Sequence, residues 1–394
     1  IMFLPFPDHF FWGTSTAAAQ VETAGDHPWR GLVAKDGYRF ERTTDHELRR
    51  EEDAGYIARF GSIYRCGVDW SRLQLEPMAK FEPEVVEEYR AFFKLLKAKG
   101  VKLMFVLHHF CHPNWFEAQG GWTKEDNIPF FVHYTQQCIK HFGEFASYWN
   151  TFNEPNVYAY NAFFSGDFPP YQKRRYFMAN RVLDNMGKAH LIALTLIREK
   201  FKDAPVGISL NTALFKPANR LGVLPAAFAR WWFLDRAAKP FQKCDFWGLS
   251  YYACLLFDPF PIDYINRPDA VRKRQLPHDK MWIYRPDGLG KLLRRFWKKY
   301  QKPIIITENG ICTEDNQQRI RALQDYLKVC HEAIRDGVDL RGYIHWSTWD
   351  NFEWNLGPTY RFGLVRVNLE TMDRSMTDAG LFYEKVAQQN GLTV

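Results

Sequence analysis

Two glutamates in this 394-residue chain stand where paired-carboxylate chemistry could occur. Glu154 lies in Trp149-Asn150-Thr151-Phe152-Asn153-Glu154-Pro155-Asn156, and Glu308 in Ile304-Ile305-Ile306-Thr307-Glu308-Asn309-Gly310. Each follows a short β-rich run and has an asparagine beside it. A carboxylate at the end of a buried apolar strand is costly to desolvate unless it is exposed or paired. Two such groups facing each other could divide the labour of cleaving a glycosidic bond. One would donate a proton to the leaving oxygen, and the other would attack or activate water.

Such a pair needs a scaffold that brings distant strand ends together. Short β-rich runs alternate with longer helical patterns along the chain, the sign of parallel βα units. Eight strands are expected, at Phe10–Thr16, Ser62–Val68, Lys102–His108, Tyr148–Phe152, Pro205–Asn211, Phe246–Tyr251, Pro303–Thr307 and Gly342–Ser347. Helices are expected at Asp45–Arg59, Pro83–Lys99, Pro129–Phe145, Met178–Lys202, Leu289–Tyr300, Gln317–Arg335 and Ala379–Gln389, with Asn127 and Asn316 as N-caps of two of them. No linker splits the chain. The expectation is an α/β fold, a single catalytic (β/α)8 TIM barrel over residues 1–394. Such barrels carry their chemistry at the C-terminal ends of the strands. Glu154 and Glu308 would then end the fourth and seventh strands and face each other across the mouth.

With TFNEPN around Glu154 and ITENG around Glu308, the chain resembles glycoside hydrolase family 1, the β-glucosidase family, over nearly its whole length. The resemblance implies Glu154 as acid/base and Glu308 as nucleophile. It also implies Arg65, in YRCGVDWSR, and Tyr252, in DFWGLSYY, as the groups that orient Glu308 and keep it ionised. Gln20 (AAAQVE), His109 (VLHHFCHPNW), Asn153, Glu353 and Trp354 (HWSTWDNFEW) would hold the non-reducing-end sugar, with Trp346 and Phe362 (YRFGL) packed around it. Asn153 would reach the sugar 2-hydroxyl. The implied activity is that of a retaining exo-β-glycosidase acting on unphosphorylated β-glycosides, β-glucosidase-like and tolerant of galactose or fucose configuration, with some capacity for transglycosylation. The alternative is a non-catalytic sugar-binding protein on the same barrel. Such relatives lose one carboxylate, whereas both stand here. A thioglucosidase would carry Gln in place of Glu154.

Several positions depart from the family pattern. Thr23 stands where Gly is usual, Phe110 where a Trp commonly follows the sugar-binding His, and Ser250 where Asn precedes the Tyr pair. The stretch from Trp231 to Tyr251 and the loop after Glu308 are shorter than usual, so the barrel has shortened loops on its aglycone side and the mouth is expected to be open.

The bulk properties exclude other classes. A net charge of +7 is spread over short clusters such as Lys173-Arg174-Arg175, Arg272-Lys273-Arg274 and Lys298-Lys299. They read as solvated surface, with no nucleic-acid partner. The seven cysteines form no CxxC pair and read as small buried hydrophobes of a cytoplasmic protein. The N-terminal IMFLPFPDHFFWG lacks a positive n-region, and no apolar run is long enough to span a membrane, so no membrane partner is expected. His108, His109 and His112 invite a metal reading, but adjacent strand residues point to opposite faces. Without a dinucleotide or phosphate loop either, neither metal nor cofactor is expected. His345 and Glu22 read as structural. The substrate is a small-molecule β-glycoside, and the oligomeric state is not legible.

Overall fold

Runs such as Ile304-Ile305-Ile306 are apolar on both faces, which suits strands covered inside and out. In the computed structural model, which describes residues 2–394, eight of them close into a parallel barrel. The strands are β1 (Phe11–Ser15), β2 (Ile63–Gly67), β3 (Lys102–His108), β4 (Ala146–Asn153), β5 (Val206–Pro217), β6 (Phe246–Phe257), β7 (Ile304–Asn309) and β8 (Leu340–Trp346). Each pairs in parallel with the next, β5 with β6 closing one gap and β8 with β1 the last. These are the eight expected runs. β5 and β6 continue past the expected ends and stay paired to Pro217 and Phe257, forming a ribbon above the rim.

Helices ring the barrel because one stripe of each is apolar. Pro83–Ala98 starts with proline at its first turn and buries Val86, Tyr89, Phe92, Phe93 and Leu96. Asn316–Arg335 buries Ala322, Leu323, Tyr326, Leu327 and Cys330. Its N-cap is Asp315, which accepts from the N–H groups of Gln317 and Gln318. The cap therefore falls one residue before Asn316, on a carboxylate whose negative charge makes it the stronger acceptor at a helix N-terminus. Asn127 does stand at the N-cap position of the Ile128–Phe142 helix, but its side chain makes no capping bond; its amide donates to the carbonyls of Gln119 and Gly121. Short helices at Asn114–Ala118, Pro155–Tyr160, Val223–Arg230 and Pro268–Lys273 add to the expected set.

Ile63, Met104, Phe246, Ile305 and Ile344 pack together inside the barrel, the first four near the N-terminal ends of their strands and Ile344 level with Ile63 through Gly13. This plug makes the barrel a solid pedestal and leaves only the opposite end open to chemistry. Phe3–Pro5 pairs with Gly391–Thr393, tying the two ends of the fold together. The loop after β7 runs only from Gly310 to Asp315 before the next helix.

Candidate active site

The C-terminal rim surrounds a cavity of about 890 Å³. Glu154, Glu308, Tyr252, His109, Glu353 and Trp346 lie on its wall, together with Trp354 and Phe362. Gln20, Arg65 and Asn153 are buried behind that wall.

Both strands that carry a glutamate break register just before it. Ile305 faces the barrel plug, so strict alternation along β7 would turn Glu308 outward. Instead the register against β6 slips between Ile306 and Glu308, and the bulge brings the carboxylate to the cavity. β4 slips against β5 between Asn150 and Asn153. Glu154 then takes a left-handed backbone conformation at φ 43° and donates its N–H to the Ser209 carbonyl at 2.7 Å. That conformation costs a non-glycine residue roughly 1–2 kcal/mol, and the short helix Pro155–Tyr160 that follows holds it in place.

Arg65 is fully buried and is the hub of the site. Its Nη1 donates to Glu308 Oε1 at 2.8 Å and to Ser15 Oγ at 3.0 Å. Its Nη2 donates to Asn153 Oδ1 at 2.5 Å and Ser209 Oγ at 3.1 Å. Nε and Nη2 both reach Asn150 Oδ1. A buried guanidinium is tolerable only when its donors are satisfied, and here they are. The Tyr252 hydroxyl donates to the other oxygen of Glu308 at 2.8 Å. Glu154 has no cation. It accepts from Asn211 Nδ2 at 2.8 Å.

Burial raises the pKa of both carboxyls. At Glu308 the Arg65 charge and the Tyr252 hydroxyl oppose that rise. At Glu154 the charge of Glu308 adds to it and pushes the group up to about 8, offset in part by Asn211. The surroundings therefore favour the negative charge on Glu308 over Glu154.

On the opposite wall, Gln20 Nε2 donates to the Phe352 carbonyl at 2.7 Å and lies 3.5 Å from Glu353 Oε2. Burial, then the nearby Glu308, raises Glu353 to about 8. His109 Nε2 accepts from Asn153 Nδ2 at 2.8 Å. Burial and Arg65 hold its imidazole well below the ordinary range, so it is neutral. Gln20 Oε1 and His109 Nδ1 are buried without a protein partner. They offer an acceptor and a donor, the two things a sugar hydroxyl needs. Asn153 is engaged at both ends of its amide, by Arg65 and by His109, which leaves one Nδ2 hydrogen for a ligand.

The profile of glycosyl hydrolase family 1 matches residues 3–223 and 233–392. The chain belongs to this family. Beta-glucosidase A of Acetivibrio thermocellus is 30% identical, covering 98% of this chain and 99% of the relative. That alignment runs over 446 positions, more than the 394 residues here, so the relative carries segments that this family member lacks. The aryl-phospho-beta-D-glucosidase BglC of Bacillus subtilis is 27% identical, with 98% of both proteins covered. The beta-glucosidase of Thermotoga maritima, solved in complex with deoxynojirimycin, superposes with a TM-score of 0.89 at 28% identity, over 99% of this chain and 100% of that one.

Sequence reasoning missed several family 1 site neighbours here. Asn211, the partner of Glu154, ends the expected fifth strand, and that position was its only signal. Ser15, Asn150 and Ser209 hold Arg65 but are ordinary polar residues in sequence. Trp282 packs against Tyr252 and Phe362, and nothing in its local sequence marks it.

The three histidines take separate places. His109 faces the cavity, while His108 packs outward against Trp122, Phe152 and Tyr158. His112 pairs with Glu117 at 2.7 Å. Among the described residues no group of three His, Cys, Asp or Glu is placed to hold a metal ion. Glu22 is taken up by Arg72 and the Tyr89 hydroxyl, and His345 is buried beside the Phe362 carbonyl. All seven cysteines are unpaired, and among the described residues no helix is long and apolar enough to cross a membrane.

Proposed function

We propose that this protein is a retaining exo-β-glucosidase in which Glu308 attacks the anomeric carbon and Glu154 serves first as acid, then as base. The observation that carries this reading is the unequal treatment of two carboxyls in one cavity. Glu308 is bound by Arg65 and Tyr252, whereas Glu154 is held by the Asn211 amide and has no cation bonded to it. An ionised nucleophile and a protonated acid are what the first half-reaction requires. Once Glu308 is glycosylated its charge is gone, the pKa of Glu154 falls, and Glu154 can take a proton from water. Arg65, Asn153 and Tyr252 act by positioning and charge. Gln20, His109, Glu353, Trp346, Trp354 and Phe362 form the glycone subsite. A non-catalytic sugar-binding role is disfavoured, because both carboxylates and their partners are in place. The barrel over residues 1–394 acts as one catalytic domain, and the unpaired cysteines fit a cytoplasmic location.

The sugar is unphosphorylated in this reading, although one relative is a phospho-glucosidase by name. Glu353 would meet a 6-phosphate with a carboxyl group. The two cations on the cavity wall, Lys35 and Arg267, are each held by an aspartate, Asp167 at 3.0 Å and Asp258 at 2.5 Å. Proton NMR of aryl β-glucoside hydrolysis should show β-glucose as the first product, and aryl β-glucoside 6-phosphate should turn over far more slowly. First-formed α-glucose would refute retention, and a preference for the phosphate would refute the role given to Glu353.

A further inference from the structure

The wall of the cavity becomes apolar toward its rim, where Phe164, Phe228 and Phe260 are both lining residues and solvent-exposed. The exposure continues outward from there. The Val223–Arg230 helix and the turns on either side of it bury Ala226, Trp232 and Leu234 and turn Leu221, Val223, Leu224, Ala227, Phe228 and Trp231 to solvent. This is the 3.6-residue spacing of an amphipathic helix with its apolar stripe facing out. Leu224 is 80% exposed. Phe177, at the start of the Tyr176–Lys200 helix, is 86% exposed and extends the stripe. Its ring stacks edge-on to Tyr176, which packs against Phe228, and Phe228 packs against Trp231. A contiguous exposed apolar patch of this kind marks a binding surface.

Its border is basic. Lys173, Arg174 and Arg175 lead into the Tyr176–Lys200 helix, and the backbone N–H groups of Arg174 and Arg175 bind the carbonyls of Phe164 and Phe163. Arg181 is exposed on the first turns of that helix, and the exposed Arg220 and Arg230 stand just before and at the end of the Val223–Arg230 helix. Among the described residues, none of these six cations has a carboxylate within 4.0 Å, whereas Asp184 and Asp235 on the same segments are taken by Arg236 and by Arg295 and Lys299. The two stretches matched by the family profile also leave out 224–232, which holds Leu224, Ala227, Phe228 and Trp231 of the stripe.

We propose that this face docks on the surface of an anionic lipid bilayer, with the apolar stripe in the acyl boundary and the six cations against the headgroups. An apolar face bordered by unpaired cations is the make-up of an interfacial helix. A neutral protein partner would leave those charges unmatched. Docked this way, the cavity mouth opens onto the bilayer, and its apolar rim receives the alkyl chain of a membrane-borne β-glycoside. That second point rests on the glycosidase reading above; the docking does not.

The test is co-sedimentation of the whole protein with phosphatidylcholine vesicles containing 30% phosphatidylglycerol, and with phosphatidylcholine alone. Binding should favour the anionic vesicles and weaken with salt. Leu224→Asp with Trp231→Asp should lower the partition coefficient at least tenfold, while turnover of a soluble aryl β-glucoside stays within twofold. Phe177→Asp, on a different helix, gives the same readout should the double variant fold poorly. Turnover of dodecyl β-glucoside carried in the vesicles should fall with binding. Absence of vesicle binding by the unaltered protein, or binding unmoved by the variants, overturns the proposal. So does a dimer in sedimentation velocity that the same variants split, which would make the face an interface between copies.

Discussion

The guanidinium of Arg65 lies 2.8 Å from the carboxylate of Glu308, and both side chains are shut away from solvent. Breaking a buried pair of this kind leaves an uncompensated charge, so neither partner can be replaced cheaply. The other carboxyl of the cavity, Glu154, has no such partner. The chemistry assigned to the two groups follows from that difference.

Glu154→Ala should therefore act on proton donation rather than on binding. Substrates with basic leaving groups, such as alkyl β-glucosides, should slow by about 10²–10⁴-fold, the usual worth of general acid catalysis. Dinitrophenyl β-glucoside, whose leaving group needs no proton, should keep a much larger share of its glycosylation rate. Pre-steady-state rates across a leaving-group series check this. Equal losses along the series would remove Glu154 from the acid role.

The pH dependence has a definite sign. The active form has Glu308 ionised and Glu154 protonated, so kcat/KM should fall as pH rises through about 8, where Glu154 loses its proton. On the acid side it should fall as Glu308 takes one up, above the ordinary carboxylate range because burial raises that group too. Stability follows the same groups. Glu154 and Glu353 have folded-state pKa values above their unfolded ones. Their contribution is fully present below pH ~4.5 and is lost as pH climbs to about 8. Glu154→Gln keeps the shape and has no charge to desolvate, so its Tm should drop less between pH 5 and pH 8 than that of the unaltered protein. Parallel melting curves would contradict the shift.

Tyr252→Phe isolates one hydrogen bond. The ring keeps its packing against Trp282 and Phe362, while Glu308 loses a donor at 2.8 Å. A hydrogen bond to a charged group is worth about 1.5–3 kcal/mol, so kcat should fall about 10- to 100-fold and Tm should drop by roughly a few degrees. The acid limb of the pH profile should move to higher pH. Unchanged kcat with an unmoved acid limb would mean that Tyr252 serves only packing.

The barrel could be read from the chain because short apolar-rich runs alternate with long helices that carry a one-sided stripe. The two glutamates could be read because they end such runs. What could not be read depends on tertiary context. The slips before Glu154 and Glu308 decide which way the carboxylates point, and they arise from pairing with β5 and β6. Asn211 meets Glu154 across 57 positions of sequence, and no local pattern marks that contact. Helical periodicity reports a stripe but not what covers it. In the Asn316–Arg335 helix the stripe faces the core, and in the Val223–Arg230 helix it faces solvent. Asn316 lost the cap to Asp315 because two side chains that can cap stood side by side.

The most direct test of the account is Glu308→Gly with added azide. Removing the carboxylate should abolish hydrolysis of aryl β-glucosides, and the small anion should enter the space left and attack from the same side. The account predicts recovery of turnover with α-glucosyl azide as the product, identified by NMR. Near-native hydrolysis by the variant, or a β-glucosyl azide as the rescued product, would contradict the assignment of Glu308 as the nucleophile.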